Sequence, residues 1–298
     1  MIVTVASGKG GTGKTTVAAS LALSIAADSG TMADRPPLFL DCDVEEPNAA
    51  LFLHPLIQER REVGQMIPEV DFDRCTYCGR CAEVCQYHAI AVVGERVLVF
   101  PELCHGCGSC TLNCPTGAIH EVLDVTGTIE RGSNGRVEFG QGTLNVGEPM
   151  AVPIIRQLKQ WLIPPDPGDR AIILDASPGT ACPVVESMSG ADFVLMVTEP
   201  TPFGLHDLRM AVEVARSELG LPVGVVVNRD GVGDRGVDDY CAAEGIPILL
   251  RIPLERRIAE AYSEGTLLVE ALPEYREQFR ALYAAIEKQL EWGQEAAR

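Results

Sequence analysis

Short apolar runs alternate along the chain with stretches that carry apolar residues at helical spacing. The first run, residues 1–6, leads through a glycine-rich turn into a helix with an apolar face. Later runs with the character of buried strands cover residues 37–41, 171–175, 193–197, 223–227 and 248–252. Helical spacing is found at residues 152–162, 205–219 and 254–263, and in a last helix that includes Phe279, Leu282, Tyr283, Ile286 and Leu290. This alternation predicts an α/β fold, with a mostly parallel sheet, helices on both its faces and ligands at the carboxyl ends of its strands.

The pattern changes between about residue 68 and residue 124. Cysteines are closely spaced there, turns are frequent, and strands such as residues 97–100 are short. A glycine-rich stretch at residues 127–147 has the composition of a hairpin, and long periodic elements resume after it. We therefore predict one α/β domain in two parts, residues 1–67 and 125–298, interrupted by a small α+β insert at residues 68–124.

Charge and composition argue against several classes of function. The 298-residue chain is 46% hydrophobic, enough for a full core, and has a formal net charge of -18. This acidity disfavours binding to nucleic acid or to an anionic membrane, because both need a cationic surface. No apolar run reaches the ~18 residues of a membrane span, and no basic segment precedes the first apolar run as in a signal peptide. We expect a cytoplasmic protein with no stable membrane insertion.

A glycine-rich segment separates the first predicted strand from the first helix. Residues 8–15 fit the pattern G-x-x-x-x-G-K-[ST] of a phosphate-binding loop. Its glycines turn backbone N–H groups toward phosphates, the helix N-terminus adds a positive end, and Lys14 reaches the outer phosphates. The Thr15 hydroxyl is a ligand for Mg²⁺. The nucleotide-binding residues predicted here are Gly8, Lys9, Gly10, Gly11, Thr12, Gly13, Lys14, Thr15 and Thr16.

The eleven cysteines predict metal ligation rather than disulfides, since no export signal precedes them. Eight form two runs with the spacing C-x2-C-x2-C-x3-C, in which three thiolates of one run and the fourth of the other hold one 4Fe-4S cluster. The predicted ligands are Cys75, Cys78, Cys81 and Cys114 for one cluster, and Cys104, Cys107, Cys110 and Cys85 for the other. A zinc site explains eight cysteines at this spacing poorly. Outside the runs, Cys42 and Cys241 have the character of small buried apolar side chains.

The phosphate loop and two later aspartates carry a family resemblance. Residues 9–16 resemble the deviant phosphate loop of the MinD/ParA family of ATPases. The resemblance implies that Lys9 reaches the nucleotide of a partner subunit across an ATP-dependent dimer. It also implies that Asp43 orients the attacking water beside Mg²⁺ and that Asp175 holds Mg²⁺ through water. Lys9, Lys14 and Asp43 are the catalytic residues that follow from it.

Later segments extend the resemblance to the adenine site. Asn228 and Pro253 resemble the residues that read adenine and pack on it, which implies ATP rather than GTP. Cys182 lies seven residues after Asp175, the offset at which the nitrogenase iron protein carries a cluster-ligating cysteine. Two interpretations of Cys182 stay open, a thiol linked to the nucleotide switch and a packed side chain.

The chain as a whole resembles MinD-superfamily ATPases that contain an inserted ferredoxin domain. This group is related to Mrp-type iron-sulfur carriers and to cobyrinic acid diamide synthase-like nucleotide-binding domains. The resemblance implies an ATPase with two 4Fe-4S clusters, dimeric with itself or with a similar ATPase, that assembles or transfers a metal cluster on a partner protein. Two alternatives stay open: an ATP-gated electron carrier with a redox partner, like the nitrogenase iron protein, and a positioning or regulatory switch of the MinD/ParA kind.

Overall fold

The computed structural model describes residues 1–26 and 36–296. The strands in these ranges are β1 (Ile2–Ala6), β2 (Leu38–Asp41), β3 (Leu56–Val70), β4 (Ile90–Val92), β5 (Val97–Val99), β6 (Ile119–Ser133), β7 (Glu138–Leu144), β8 (Ile172–Asp175), β9 (Phe193–Thr198), β10 (Val223–Asp230) and β11 (Ile248–Pro253). The helices are α1 (Lys14–Ala26), α2 (Ala50–Leu53), α3 (Arg80–Val84), α4 (Ser109–Leu112), α5 (Val152–Leu162), α6 (Cys182–Met188), α7 (Pro202–Glu213), α8 (Gly236–Glu244), α9 (Arg256–Ser263), α10 (Leu268–Ala271) and α11 (Glu274–Ala296). A 3₁₀ turn at Pro101–Leu103 and a π-helical turn at Val214–Glu218 complete the set.

In the described part of the chain, nine strands form one sheet with the order β11-β10-β9-β1-β8-β2-β7-β6-β3. Neighbours from β11 to β7 are parallel, and the last two pairs, β7 with β6 and β6 with β3, are antiparallel. The predicted α/β fold with a mostly parallel sheet is therefore confirmed. Because the parallel strands share a direction, the loops after β1, β2, β8, β9, β10 and β11 meet at one edge.

Helices cover both faces of the parallel part of the sheet. On one face, α1, α10 and α11 pack on side chains such as Phe39 and Ile173. On the other, α5 packs on β2 and β8, while α6, α7 and α8 pack on β9 and β10. The predicted apolar face of the last helix is buried in this core at Phe279, Leu282 and Ile286. Among the described residues, no helix is long and apolar enough to cross a membrane.

A two-stranded ribbon extends the sheet beyond its parallel part. β3 and β6 pair along their whole lengths, from Leu56 opposite Ser133 to Val70 opposite Ile119. Between them the chain forms a small lobe, defined as residues 71–118, with α3, α4 and the β4–β5 hairpin. The predicted domain boundaries at residues 67/68 and 124/125 fall inside the ribbon strands, so the backbone hydrogen bonds of the sheet continue up to the lobe. The domain division itself stays a prediction.

Candidate functional site

The loop between β1 and α1 is held in a shape that only glycine allows at several positions. Gly11 and Gly13 have left-handed φ values of 78° and 90°. A Cβ atom at Gly13 would also lie 2.4 Å from Nδ2 of Asn228, and one at Gly8 would lie 2.2 Å from the carbonyl oxygen of Asp207. The loop therefore packs tightly against the carboxyl end of β10 and the middle of α7, and it leads directly into α1.

Lys14, the first residue of α1, is buried among acidic groups. Its ammonium lies 2.7 Å from Oδ1 of Asp175 and 3.9 Å from Oδ2 of Asp43. Burial lowers the pKa of Lys14, but the carboxylate of Asp175 and then those of Asp43 and Asp41 outweigh it, so the pKa is raised above its ordinary value. The predicted lysine and both predicted aspartates thus lie together at the carboxyl edge of the sheet.

Asp41 is a member of this group that sequence reasoning did not single out. Its fully buried carboxylate accepts hydrogen bonds from the backbone N–H groups of Asp43, Asn48 and Ala49, at 3.1, 3.0 and 3.0 Å. Burial, and then the charge of Asp175, raises the pKa of Asp41 to about 7. Asp41 therefore fixes the loop that carries Asp43. An aspartate at the end of a buried strand, two residues before Asp43, was the available signal.

Two carboxyl groups have the properties expected of Mg²⁺ ligands. Burial raises the pKa of Asp43 to about 6, an effect that the charge of Lys14 reduces. Asp175 is fully buried, and its Oδ2 has no hydrogen-bond partner among the described residues, although Oδ1 contacts Lys14. A buried carboxylate oxygen without a partner is costly unless a cation or donor reaches it. Thr15, the predicted hydroxyl ligand, is the second residue of α1 and lines a cavity together with Asp43.

A cavity of about 420 Å³ extends from the phosphate loop to α9 and α10. Asn228 and Pro253, the residues predicted at the base, both line it. Asn228 also donates from Nδ2 to the carbonyl oxygen of Thr12 at 2.7 Å, so it supports the phosphate loop. Phe52 and Tyr262 line the cavity as well, with ring centroids 5.7 Å apart. These two rings lie in segments that carry no nucleotide motif, and sequence reasoning missed them.

Lys9 does not extend freely into solvent. Its ammonium lies 3.2 Å from Oε2 of Glu199, the residue that follows β9. The other oxygen of Glu199 accepts a short hydrogen bond from Arg229. Glu199 is largely buried, with 11% of its side chain exposed, whereas Lys9 is 32% exposed. Glu199 was not predicted, since it belongs to no motif that could be read from the sequence. Arg229 follows Asn228 in the predicted adenine segment, but its contact with Glu199 was not predicted.

The small lobe brings the eight cysteines of the two runs together in two sets. One cavity is lined by Cys75, Cys78, Cys81 and Cys114, and a second is lined by Cys104, Cys107, Cys110 and Cys85. Each set combines three cysteines of one run with the last cysteine of the other. Within residues 1–26 and 36–296, no group of three or more His, Cys, Asp or Glu side chains converges on a point suited to a single metal ion.

The two runs share local geometry. Backbone N–H groups of Ala89 and Ala118 donate to Sγ of Cys85 and Cys114, at 3.3 and 3.2 Å, and that of Gly106 donates to Sγ of Cys104 at 3.4 Å. Left-handed φ values occur at equivalent positions of the two runs, namely Tyr77, Gly79 and His88 in the first and Gly106, Gly108 and Gly117 in the second. Donors aimed at sulfur stabilise thiolates, the form that binds metal.

The remaining cysteines separate into two kinds. Cys42 and Cys241 are buried, as predicted, and burial raises their pKa values to about 12 and about 11. Cys182 is exposed at the first residue of α6, which does not fit the interpretation of a packed side chain. Its predicted link to the nucleotide switch remains a prediction.

The family is decided by the match of almost the whole α/β core. Residues 3–269 match the model of the CobQ/CobB/MinD/ParA nucleotide binding domain. The chain belongs to this family. A relative in the family, protein MJ0579 of Methanocaldococcus jannaschii, is 32% identical over 279 residues, which cover 89% of this chain and 90% of that protein.

Solved structures of the family have the same fold. The septum site-determining protein MinD of Pyrococcus horikoshii, complexed with Mg-ADP, superimposes with a TM-score of 0.56 at 19% identity, covering 97% of this chain and 96% of that one. The cell division ATPase MinD of Pyrococcus furiosus gives a TM-score of 0.55 at 22% identity, covering 97% and 98%. The chain is an ATP-binding ATPase of the MinD/ParA type, and the site described above is consistent with a nucleotide and Mg²⁺.

Proposed function

We propose that this ATPase is an iron-sulfur protein whose ATP-dependent dimer acts in the assembly or transfer of a metal cluster on a partner protein. The observation that carries the proposal is the division of eight cysteines between two cavities of the small lobe, three from one run and one from the other in each. This is the exchange of fourth ligands expected for two 4Fe-4S clusters. A cytoplasmic location is part of the proposal, because a reducing compartment keeps these thiols free.

The side chains around the cavities fit such clusters. A 4Fe-4S cubane binds each thiolate through a different iron, so its ligands surround a cavity rather than converge on one point. The N–H donors to Cys85, Cys104 and Cys114 would reduce the charge on ligating sulfur. When bound, such clusters supply one-electron chemistry or transferable iron and sulfide.

ATP hydrolysis at the edge of the sheet follows from the positions of a few side chains. Lys14 neutralises charge on the outer phosphates, and backbone N–H groups of the glycine-rich loop hold the inner ones. Asp43, fixed by Asp41, orients the attacking water. Thr15, Asp43 and Asp175 would hold Mg²⁺, which neutralises phosphate charge when bound. Lys9, supplied by a partner subunit, adds a positive charge to the transferred phosphoryl group.

A hydrolysis assay tests the assignment of the ATPase residues. We expect Asp43→Asn to retain ATP binding and lose hydrolysis by at least about 100-fold, because the water loses its orienting carboxylate. Lys14→Ala should lose both. Full hydrolysis by Lys14→Ala would exclude this mechanism. Glu218→Gln, a charge change at an exposed position, is the control.

Anaerobic purification followed by iron and sulfide counting tests the clusters. We expect about eight irons and eight sulfides per chain, the content of two cubanes. Cys114→Ser should lower the count and change the spectrum of the cluster bound mainly by the first run, and Cys85→Ser that of the other. Cys241→Ser, outside both runs, should change neither. Stoichiometric zinc in place of iron and sulfide in the anaerobic protein would contradict the proposal.

One alternative, an ATP-gated electron carrier, differs from the proposed function in what happens to the clusters during turnover. An ATP-gated electron carrier keeps them through many turnovers while their redox state cycles, whereas a carrier of clusters loses iron and sulfide to an apo-partner. A positioning or regulatory switch is favoured by the family membership of the ATPase core. Localisation that oscillates or follows the nucleoid would support that switch, although a net charge of -18 opposes binding to DNA.

A further inference from the structure

The contact between Lys9 and Glu199 competes with the role proposed for Lys9 in the dimer. The ammonium of Lys9 and the carboxylate of Glu199 lie 3.2 Å apart within one subunit. In the proposed dimer, the same ammonium has to reach phosphates bound to the partner. The ammonium has three N–H donors, but it occupies one position at a time and shares a single positive charge, so a contact with Glu199 opposes a contact with the partner's phosphates.

The backbone on the Lys9 side of this contact is fixed. The carbonyl oxygen of Lys9 accepts a hydrogen bond from the Ser7 hydroxyl at 2.8 Å. Gly8 is packed so closely on α7 that a Cβ atom would lie 2.2 Å from the backbone oxygen of Asp207. Movement of the ammonium therefore has to come from rotation of the flexible lysine side chain, whose four-carbon stem permits it.

The backbone on the Glu199 side is fixed as well. The carbonyl oxygen of Glu199 accepts from the N–H group of Thr201 at 2.8 Å, and that of the next residue, Pro200, accepts from Asp234 at 3.0 Å. Gly204 approaches so closely that a Cβ atom there would lie 2.2 Å from the Glu199 oxygen. The carboxylate is thus presented to Lys9 from a rigid turn between β9 and α7.

Because Arg229 also contacts Glu199, the buried carboxylate of Glu199 keeps a cationic partner when Lys9 moves away. Arg229 donates to the Glu199 oxygen that Lys9 does not use, and its own backbone is held in a left-handed conformation with a φ of 55°. Its N–H group also donates to Oδ1 of Asn228 at 2.9 Å. Glu199 keeps one cationic partner after Lys9 departs, so the exchange avoids the large penalty of an isolated buried carboxylate.

We propose that Glu199 is a positioning residue that holds the Lys9 ammonium against its own subunit and thereby opposes its transfer to a partner's nucleotide. The inference rests on the proposed function, in which Lys9 acts across a dimer. It goes beyond that function by naming a contact that opposes dimer formation. ATP bound to the partner has to compete with Glu199 for the Lys9 ammonium. Removing the charge of Glu199 should therefore promote the dimer, the opposite of what loss of a merely structural contact would do.

The test measures the dimer dissociation constant by sedimentation with a non-hydrolysable ATP analogue and Mg²⁺. We expect Glu199→Gln to tighten the dimer by about tenfold, the size of one charge-assisted hydrogen bond. Lys9→Ala should weaken the dimer, and Lys9→Ala with Glu199→Gln should behave like Lys9→Ala alone. Glu218→Gln, exposed on the π-helical turn, is the matched charge control and should match the unaltered chain. ADP affinity should stay unchanged in the two glutamate variants, and a cooperative thermal transition should show that Glu199→Gln stays folded although it loses charged contacts with Lys9 and Arg229.

The possible outcomes separate the two hypotheses. An unchanged or weaker dimer in Glu199→Gln, while Lys9→Ala weakens it, overturns the role of Glu199 and leaves the proposed dimer intact. Tightening that persists in the double variant also overturns that role, because the effect would not act through Lys9. An unchanged dimer in Lys9→Ala overturns the proposed action of Lys9 in trans, and the inference with it.

Discussion

Around Lys14, three carboxyl groups and one ammonium lie close together, and all four are largely shielded from solvent. Asp41, Asp43 and Asp175 all contribute to raising the pKa of Lys14, and burial in turn raises the pKa values of Asp41 and Asp43. The group has an excess of negative charge before any nucleotide is considered. A divalent cation complements that excess, while phosphates alone would add to it. The site is therefore suited to a nucleotide that arrives with its metal.

Gly13 combines a left-handed φ with a close neighbour at the position of a Cβ atom. We expect Gly13→Ala to lower the free energy of unfolding by about 2 kcal/mol, because its left-handed φ of 90° and the nearby Asn228 both oppose a Cβ atom. Urea unfolding without nucleotide measures this. Gly10→Ala is the control, since no atom lies within 4 Å of a Cβ atom there. Equal effects of the two substitutions would show that packing against Asn228 does not restrict the loop.

The three cysteines outside the runs should differ in reactivity. At pH 8 we expect iodoacetamide to modify Cys182 and to leave Cys42 and Cys241 unmodified in the folded protein. The pKa of Cys42 is raised by burial to about 12, so only about one thiol in ten thousand is ionised at pH 8. Peptide mass mapping after a short exposure measures the extent at each site, and unfolding in urea should remove the difference. Rapid modification of Cys42 in the folded chain would contradict the buried position.

At the scale of elements, the β3–β6 ribbon connects the loop that carries Asp43 with the small lobe that carries the two cysteine runs. β3 follows the loop of Asp43 after only α2 and a short turn, and it leads directly into the first cysteine run. α5 supports the ribbon: Gln157 donates to the carbonyl oxygen of Gly64 at 2.7 Å, and the guanidinium of Arg61 lies 4.1 Å from the ring centroid of Trp161. The nucleotide loop and the small lobe are thereby joined through a supported secondary-structure element.

At Gly64 the two ribbon strands leave no space for a side chain. A Cβ atom there would lie 1.8 Å from the carbonyl oxygen of Asp124. The register of pairing with β6 also shifts between Val63 and Gly64. We expect Gly64→Ala to separate the strands, with faster amide hydrogen exchange in residues 56–70 and 119–133 and about 2 kcal/mol lower stability. Hydrogen exchange in β9 and β10 should change much less. Unaltered exchange in the ribbon would mean that the strands can shift without cost.

The sequence predicted the parallel elements and failed at the ribbon for a physical reason. Buried parallel strands are apolar runs, so β8 and β9 could be recognised by composition alone. Residues 58–62 of β3 are all charged or polar and carry no such signal, since this strand is stabilised by pairing with β6 and by packing on α5.

The candidate site was predictable to a similar degree. Lys14, Asp43 and Asp175 belong to local motifs that precede or follow strands, and the structure brings them together. Glu199 and Arg229 could not be predicted, because their role depends on which loops the strand order places beside Lys9. The order of strands in the sheet, which is not visible in the sequence, decides which loops lie beside Lys9.

At the scale of the whole molecule, a net charge of -18 on each chain governs how two copies meet. Two such chains repel each other at long range, whereas the proposed attraction between Lys9 and a partner's phosphates acts at short range. Salt screens the first more than the second, because the Debye length falls from about 30 Å at 0.01 M to about 8 Å at 0.15 M ionic strength. Repulsion and attraction can therefore be separated by changing the salt concentration.

We expect the proposed ATP-dependent dimer to tighten several-fold as ionic strength rises from about 0.01 M to about 0.15 M, since screening removes repulsion between acidic surfaces. Sedimentation with a non-hydrolysable ATP analogue at each salt concentration measures this, and ADP binding to the single chain serves as the control for the nucleotide site. DNA binding would have the opposite salt dependence, because cation release from DNA drives it and added salt weakens it. A dimer that weakens with salt would show that complementary charges at the interface outweigh the net repulsion, and would locate those charges near Lys9 if Lys9→Ala abolished the dependence.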